Sequence, residues 1–271
     1  MPTDLASRDA EPCANCGAPV ADAYCASCGQ RVPRHGSLRA TLELQARRIG
    51  HSLFALLFRP GLLTVEFCEG RRARSIAPWR LLFNAVTVFF LLAVLTDFRI
   101  ATIASQDTSG TIAGAIADAA ARKGVDVAVI AERLDRRFNV VYTLLLALTV
   151  ASYTLMAAAT HWRRPWSRHA IFAMHLVAWI FAVTVPYLVA LRLIGIGPVV
   201  WNAEGPTSVA GAALMLAVFA WMVAWVTLAF RRVYGDSTLA AAAKAIAISL
   251  AGVVVDNLVI TLAFAVALRS L

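Results

Sequence analysis

Five long apolar segments, joined by shorter polar stretches, dominate the hydrophobic pattern of this chain from about residue 80 onward. An α-helix needs roughly 17 to 25 mainly apolar residues to cross the hydrocarbon core of a bilayer, and each segment meets that length. The pattern therefore predicts an all-α integral membrane protein with about five transmembrane helices. The predicted spans cover Arg80–Phe98, Val140–Thr160, Ala170–Ile194, Ser208–Phe230 and Ala245–Leu268.

The composition agrees with a lipid environment. Of 271 residues, 60% are hydrophobic and only 15% are charged, and the mean hydropathy is +0.70, so lipid must be the main solvent. The formal net charge is +9, but the basic residues lie mostly before the first span and in two short loops. That distribution is typical of membrane topology rather than of a nucleic-acid groove, so no nucleic-acid partner is expected. Lysine occurs only at Lys123 and Lys244 amid many arginines and alanines, which favours a bacterial source with a GC-rich genome.

The arginines of the short loops predict the orientation, because Lys and Arg near span ends are retained in the cytoplasm. The loop HWRRPWSRH and the pair Arg231 and Arg232 should lie inside, whereas the loop GIGPVVWNAEGPT has no basic residue and should lie outside. The N-terminus lacks the basic and apolar regions of a secretory signal and should stay in the cytosol. We therefore expect a multi-pass protein of the bacterial inner (cytoplasmic) membrane, with a cytoplasmic N-terminus and an extracytoplasmic C-terminus.

Four cysteines in residues 1–36 predict a small cytoplasmic zinc ribbon. Cys13, Cys16, Cys25 and Cys28 form two C-x-x-C turns, each followed by glycine, with eight residues between Cys16 and Cys25, and two such turns can place four sulfurs around one tetrahedral zinc. The alternatives are two disulfides, which a reducing cytosol disfavours, or a redox C-x-x-C, for which no β-α-β pattern is present. Four cysteine ligands leave no open coordination position, so this ribbon should be structural and serve to dock a partner or the protein's own membrane domain.

Residues 37–78 predict an amphipathic juxtamembrane segment. A helix over Leu38 to Phe58 would align apolar side chains on one stripe, and Arg59-Pro60-Gly61 would end it. The basic residues of the whole segment 37–78 could bind anionic lipid headgroups of the bilayer or could serve only as topology signals. The predicted stripe consists of Leu38, Leu42, Ala46, Ile49, Leu53 and Leu56. The basic residues are Arg47, Arg48, Arg71, Arg72 and Arg74.

The order of these features resembles an uncharacterised bacterial membrane family, the domain of unknown function 3667 family. The resemblance rests on CANCG, on YCASCGQ and on LLFRPGLLTVEFCEGRRARSIAPWRLL leading into a hydrophobic span, which together lie in the first third of the chain. It implies the architecture of a membrane protein with an N-terminal zinc ribbon. It implies no activity.

The rest of the chain, residues 79–271, is predicted to be the helical transmembrane domain, with an extracytoplasmic segment at 99–139. Helix-forming composition from Ile112 through Phe138 predicts a solvated or interfacial helix that leads into the second span. Its apolar positions at helical spacing are Ile116, Val127, Ile130, Leu134 and Phe138.

Asp256 is the one acidic residue predicted near the middle of the bilayer. An ionisable group at that depth is costly and suggests either ion or proton handling or a structural hydrogen bond, with Asn257, Thr184 or Trp221 as partners. Three histidines near the loops lack the spacing of metal ligands and favour packing or interfacial anchoring. Ala243, Ala247 and Ala251 predict a smooth face for close helix packing. The histidines are His161, His169 and His175.

No nucleotide-binding, nucleophile or metalloprotease motif occurs in the sequence, so an enzyme is not expected. The leading hypothesis is a non-enzymatic membrane protein whose cytoplasmic zinc ribbon recruits or senses a protein partner. A small transporter or channel component that uses Asp256 is the alternative, and an intramembrane enzyme comes third.

Overall fold

The computed structural model describes residues 11–13, 16–20, 24–28, 38–71, 75–95, 111–193, 201–202, 205–206 and 209–271. It divides into two compact units, Met1–Ile49 and Gly50–Leu271. The first contains the four predicted cysteine ligands and the second contains the helices of the membrane domain.

The first unit begins with a small β-hairpin. Strands β1 (Glu11–Pro12) and β2 (Pro19–Val20) pair in antiparallel register, with Glu11 opposite Val20. Cys13, Val20 and Cys25 are buried together and form its small apolar centre. A centre of three side chains is far too small to stabilise a fold by burial alone.

Helix α1 (Leu38–Phe58) occupies the predicted residues, and α2 (Leu62–Cys68) follows after a tight turn. The predicted apolar stripe is only partly correct. Leu56 is buried as expected, but Ala46, Ile49 and Leu53 are exposed, while Ser52 and Ala55 join Leu56 on the buried side. Helix α1 therefore packs through a narrow face of Ser52, Ala55 and Leu56 and leaves Leu53 and Phe54 exposed. Leu38 and Leu42 lie outside the residues whose side chains are described.

The second unit contains a bundle of five longer helices: α3 (Pro78–Leu95), α5 (Val127–Thr160), α6 (Trp166–Leu193), α7 (Val209–Tyr234) and α8 (Thr238–Arg269). Within the described residues, four stretches are long and apolar enough to cross a membrane. They are Val127–Thr160, Trp166–Thr184, Val209–Tyr234 and Thr238–Arg269. The predicted all-α membrane fold is confirmed at this level.

The first predicted span corresponds to α3, which is the shortest helix of the bundle at 18 residues. It packs along α6, and the rings of Phe89 and Phe181 lie 5.2 Å apart. Phe90 also meets Tyr142 of α5, with ring centroids 6.4 Å apart. Helix α3 therefore reaches the same level of the bundle as the middle of α6, although it is shorter than the four long helices. Residues 96–98 of the predicted span lie outside the described part of the chain.

The predicted helix between the first two spans is in fact two helices. Helix α4 (Thr111–Lys123) ends at Gly124, and the side chain of Asp126 caps α5 by accepting a hydrogen bond from the amide of Ala128. From there α5 continues without a break for 34 residues, so the second span is an extension of this helix. Of the predicted apolar positions, Val127 is exposed. Ile116, Ile130, Leu134 and Phe138 are buried and pack against α8.

The short turns of the second unit collect at one end. The α5–α6 turn meets the α7–α8 turn through His161 and Asp236, and the Pro60 carbonyl of the α1–α2 turn lies beside Arg232. At the opposite end, Lys123 donates a hydrogen bond to the backbone carbonyl of Leu271. A short strand pair, β3 (Trp201–Asn202) and β4 (Gly205–Pro206), lies between α6 and α7 in the sequence.

Candidate functional site

The four predicted cysteines converge in the first unit. Their sulfur atoms all lie within 4.8 Å of one another, with Cys13 and Cys28 at 3.7 Å and Cys16 and Cys25 at 3.6 Å. Four sulfurs around a tetrahedral metal at about 2.3 Å would stand about 3.8 Å apart, which matches both pairs. A disulfide needs sulfur atoms at about 2.0 Å, so neither pair is a disulfide, and the disulfide alternative is wrong for this structure.

The backbone of the first turn holds its cysteines in place. The amide of Gly17 donates to the carbonyl of Cys13 at 2.8 Å, and the amide of Cys13 donates to Ala18 at 2.9 Å. Gly17 takes a positive φ of 72°, as a glycine following such a turn can do without strain. In the second turn, the backbone amide of Cys28 lowers the pKa of the Cys25 thiol, because an N–H directed at sulfur favours the thiolate. A thiolate is the form that binds a metal ion.

Among the described residues, this cluster is the one place where three or more potential metal ligands meet. The three histidines named in the sequence analysis form other contacts. His175 is buried and its Nδ1 lies 2.9 Å from the hydroxyl of Thr64, so it packs inside the bundle instead of anchoring at an interface.

A second feature, which the sequence did not suggest, is the close docking of the α1–α2 turn against α7. The indole N–H of Trp225 donates to the carbonyl of Leu56 at 2.7 Å. In a continuing helix that carbonyl would receive the amide of residue 60, but Pro60 has no N–H to donate. Trp225 therefore supplies the hydrogen bond that Pro60 removes, and Arg232 donates to the carbonyl of Pro60 itself at 2.6 Å.

Gly61 permits this docking. Its φ of 76° lies in the left-handed region, and a Cβ at this position would come within 3.0 Å of the Ala229 backbone and of a Val233 methyl group. Only glycine fits both the backbone conformation and the contact. The hairpin formed by the end of α1, the turn and α2 is called here the docked hairpin, residues 50–68.

The five predicted headgroup arginines differ in their surroundings. Arg47 is exposed on α1 and Arg48 is half-buried. Arg71 is exposed, but its guanidinium lies 2.6 Å from the carboxylate of Glu69, so its charge is partly compensated. Arg72 and Arg74 lie outside the described residues.

The end of the bundle that carries the basic turns also holds a polar cluster of His161, Asp236 and Lys244. Nε2 of His161 lies 2.8 Å from the Asp236 carboxylate, and Nζ of Lys244 lies 3.0 Å from both of its oxygens. Burial would raise the pKa of the Asp236 carboxyl, but the hydrogen bonds from His161 and Lys244 outweigh burial and lower it. The cluster joins the α5–α6 turn to the start of α8.

Asp256 lies inside the bundle between α8 and α5. Its carboxylate accepts a hydrogen bond from the hydroxyl of Tyr153 at 3.2 Å. The three hydrogen-bond partners expected for Asp256 from the sequence are wrong, because each of them forms another contact. The side chain of Asn257 donates to the carbonyl of Val253, and that of Thr184 donates to the carbonyl of Ile180. The ring of Trp221 contacts the ring of Trp179. The position of Asp256 along its helix can be read from the sequence and predicts its depth in the bundle. Its partner depends on how each helix is rotated about its axis, and a single sequence carries no signal for that rotation.

Comparison with known proteins gives one match. A family model described as "Protein of unknown function (DUF3667)" matches residues 47–90. This segment begins after the four cysteines and contains the docked hairpin and most of α3. No curated protein and no solved structure matches the chain. The predicted resemblance to this uncharacterised family is therefore confirmed over residues 47–90.

Proposed function

We propose that this is a non-enzymatic, multi-pass protein of the bacterial inner membrane whose cytoplasmic zinc ribbon recruits a protein partner. The observation that carries the proposal is the cluster of four thiols, whose two closest pairs have the separation of tetrahedral zinc ligands. An all-thiolate, four-coordinate zinc is closed to substrate and has a structural role. A metal centre with no open coordination position is not suited to catalysis. It can instead stabilise a small unit whose surface binds a protein partner.

The ribbon offers such a surface at Tyr24. This side chain is 61% exposed, although it directly precedes the buried ligand Cys25. Metal binding would fix the backbone at Cys25 and with it the position of the neighbouring ring. Tyrosine is enriched at protein interfaces, because its ring is apolar and its hydroxyl can form a hydrogen bond.

The clustering of the turns supports an orientation with residue 60 on the cytoplasmic side. The α5–α6 and α7–α8 turns and the docked hairpin share one end of the second unit, and six arginines lie in or next to these short turns. Arginine near span ends is retained in the cytoplasm. Exposed tryptophans at the same end, Trp79, Trp162 and Trp166, suit the headgroup region. The arginines are Arg59, Arg163, Arg164, Arg168, Arg231 and Arg232.

The outer face of α1 is suited to anionic lipid. Leu53, Phe54 and Phe58 are exposed large apolar side chains, and the guanidinium of Arg59 lies 5.7 Å from the ring centre of Phe54. An apolar face flanked by arginine is typical of helices that bury one side among lipid headgroups. Arg47 is exposed and available to these headgroups.

The test uses the full-length protein in intact cells, with a photo-crosslinking amino acid in place of Tyr24. Recruitment predicts crosslinks to a discrete, identifiable protein, one zinc per purified chain, and loss of both in the Cys25→Ser/Cys28→Ser double variant. Asp256→Asn is the matched control and should retain both. Crosslinks that are unchanged in the cysteine variant would contradict the proposal.

Transport of a small solute or ion is the second candidate function, and the hydrogen bond between Tyr153 and Asp256 favours it. The two functions make opposite predictions. Transport requires that Asp256→Asn abolish the cellular phenotype while the double cysteine variant retains it.

A further inference from the structure

The seam between α5 and α8 holds a polar group that the ribbon does not explain. Asp256 is the 19th of the 32 residues of α8, so it lies close to the middle of that helix. A carboxylate at such a depth is costly unless it is paired or takes up a proton. Its one hydrogen-bond partner among the described residues is the neutral phenol of Tyr153, which supplies no compensating positive charge.

The pairing with Tyr153 is built into the packing of the two helices. Tyr153 is 2% exposed, and its ring lies directly against Gly252, one turn before Asp256 on α8. A Cβ at Gly252 would collide with the Tyr153 hydroxyl oxygen and stand 2.9 Å from ring carbons. Glycine at this position therefore creates the space that the phenol occupies.

Two further hydroxyl groups along the same helices are buried and lack a partner. The Thr149 and Ser249 side chains have no hydrogen bond within the described chain, and the two residues are only 4% and 1% exposed. Thr149 lies one turn before Tyr153 on α5, and Ser249 lies two turns before Asp256 on α8. Buried hydroxyls without partners are unfavourable in an apolar interior, so α5 and α8 both carry uncompensated polar groups besides Asp256.

No positive charge faces Asp256 from the helices packed around it. Helix α5 contributes Tyr142 and Tyr153, and α7 has no titratable side chain between residues 209 and 230. On α8, Lys244 is 12 residues away, about 18 Å along the axis, and binds Asp236. The remaining charged groups on these helices and on α4 lie toward the two ends. They are Asp118, Arg122, Lys123, Glu132, Arg133, Asp135, Arg136, Arg137, Arg231, Arg232 and Arg269.

From these contacts we propose that Asp256 and the hydroxyl of Tyr153 form a proton-binding site inside the bundle, in the seam between α5 and α8. The ligand is a proton and not a metal cation, because a cation such as Na⁺ would need several oxygen ligands and only one oxygen of another described residue lies within hydrogen-bond distance of the carboxylate. Asp256 holds the proton. Tyr153 positions the carboxylate and stabilises its ionised form by donating a hydrogen bond.

The test probes the proton directly, in the full-length protein reconstituted in lipid. Dicyclohexylcarbodiimide is a membrane-permeant reagent that adds to a protonated carboxyl group, whose proton passes to the reagent nitrogen. Labelling of Asp256 is followed by peptide mass spectrometry across a range of pH. The site predicts labelling that is absent in Asp256→Asn and that falls as pH rises and the carboxyl loses its proton.

Two tyrosine variants separate the proposed site from a carboxyl that is merely buried. Tyr153→Phe removes the hydrogen bond to the ionised form, so the pH of half-labelling should rise by about one unit. Tyr142→Phe is the matched control on the same helix, and it should leave that pH unchanged because Tyr142 makes no hydrogen bond to Asp256. Gly252→Ala should displace the phenol and act in the same direction as Tyr153→Phe.

Labelling of Asp256 that does not vary with pH, or no labelling at any pH, would overturn the proposal. Equal half-labelling pH in Tyr153→Phe and in the unaltered protein would also overturn it, because Tyr153 would then have no part in the site. None of these outcomes depends on the zinc ribbon. The proton-binding proposal can therefore fail without affecting the proposal that the ribbon recruits a partner.

Discussion

Replacing Gly61 by alanine should loosen the docked hairpin much more than the same change at Gly70. Both glycines have a positive φ, 76° and 81° respectively, so alanine at either position incurs the left-handed penalty of about 1 to 2 kcal/mol. They differ in what surrounds them. An alanine methyl group at Gly61 would lie 3.0 Å from the backbone of Ala229, whereas nothing lies within 4 Å at Gly70.

The extra cost at Gly61 can be estimated from this contact. Carbon atoms in van der Waals contact stand about 3.5 to 4.0 Å apart, so the docked hairpin would have to move away from α7 by roughly half an ångström or more. Overpacking of this kind costs about 1 to 3 kcal/mol. The sum is about 2 to 5 kcal/mol for Gly61→Ala against about 1 to 2 kcal/mol for Gly70→Ala.

Amide hydrogen exchange of the reconstituted protein would measure the difference. Because about 1.4 kcal/mol corresponds to a tenfold change in an equilibrium constant, protection across residues 55–68 should fall about tenfold or more further in Gly61→Ala than in Gly70→Ala. Protection in α8 should change less in both variants. Equal loss of protection in the two variants would refute the argument that α7 holds the hairpin through Gly61.

Three other predictions concern the same end of the bundle. Trp225→Phe leaves the Leu56 carbonyl without a donor and should destabilise the hairpin by about 1 to 3 kcal/mol, measured by the same exchange experiment. The pKa of Asp236 is lower in the folded state than its ordinary value of about 4 in the unfolded state. The ionised carboxylate therefore stabilises the fold at pH values above about 4, and this contribution is lost as pH falls through the folded-state pKa. The midpoint of thermal unfolding in detergent should therefore drop at acid pH less steeply in Asp236→Asn than in the unaltered protein, and parallel curves would contradict this. A fluorescent probe at Phe54 should enter the apolar layer of anionic nanodiscs more than that of neutral ones, and salt should weaken the difference if Arg47 and Arg59 bind headgroups.

The sequence predicted the positions of the helices well, because hydropathy and length are properties of a linear segment. The predicted span Ser208–Phe230 corresponds closely to α7, and the predicted span Val140–Thr160 is the second part of the longer helix α5. The cysteine spacing also predicted the metal-ligand cluster, since two short turns and a connection of eight residues leave the sulfurs few other arrangements.

The sequence did not predict how each helix is rotated about its axis. In a soluble protein the buried face is the apolar one, but in a bilayer the lipid-facing side is apolar as well, so periodicity carries little information. Helix α8 illustrates the consequence. Ala243, Ala247 and Ala251 were expected to form its packing face, yet all three are exposed. The small residues buried along the same part of the helix are Ala241, Ala245, Ser249 and Gly252.

The docked hairpin shows how tertiary contacts restrict the choice of residue at particular positions. Three of its residues each have a role that few other residue types can fill. Pro60 frees a carbonyl for Trp225, Gly61 allows the contact with α7, and Thr64 bonds the buried His175. These requirements come from side chains that are distant in the sequence, so they become visible only in the fold, and residues 47–90, which match the family model, include all three positions.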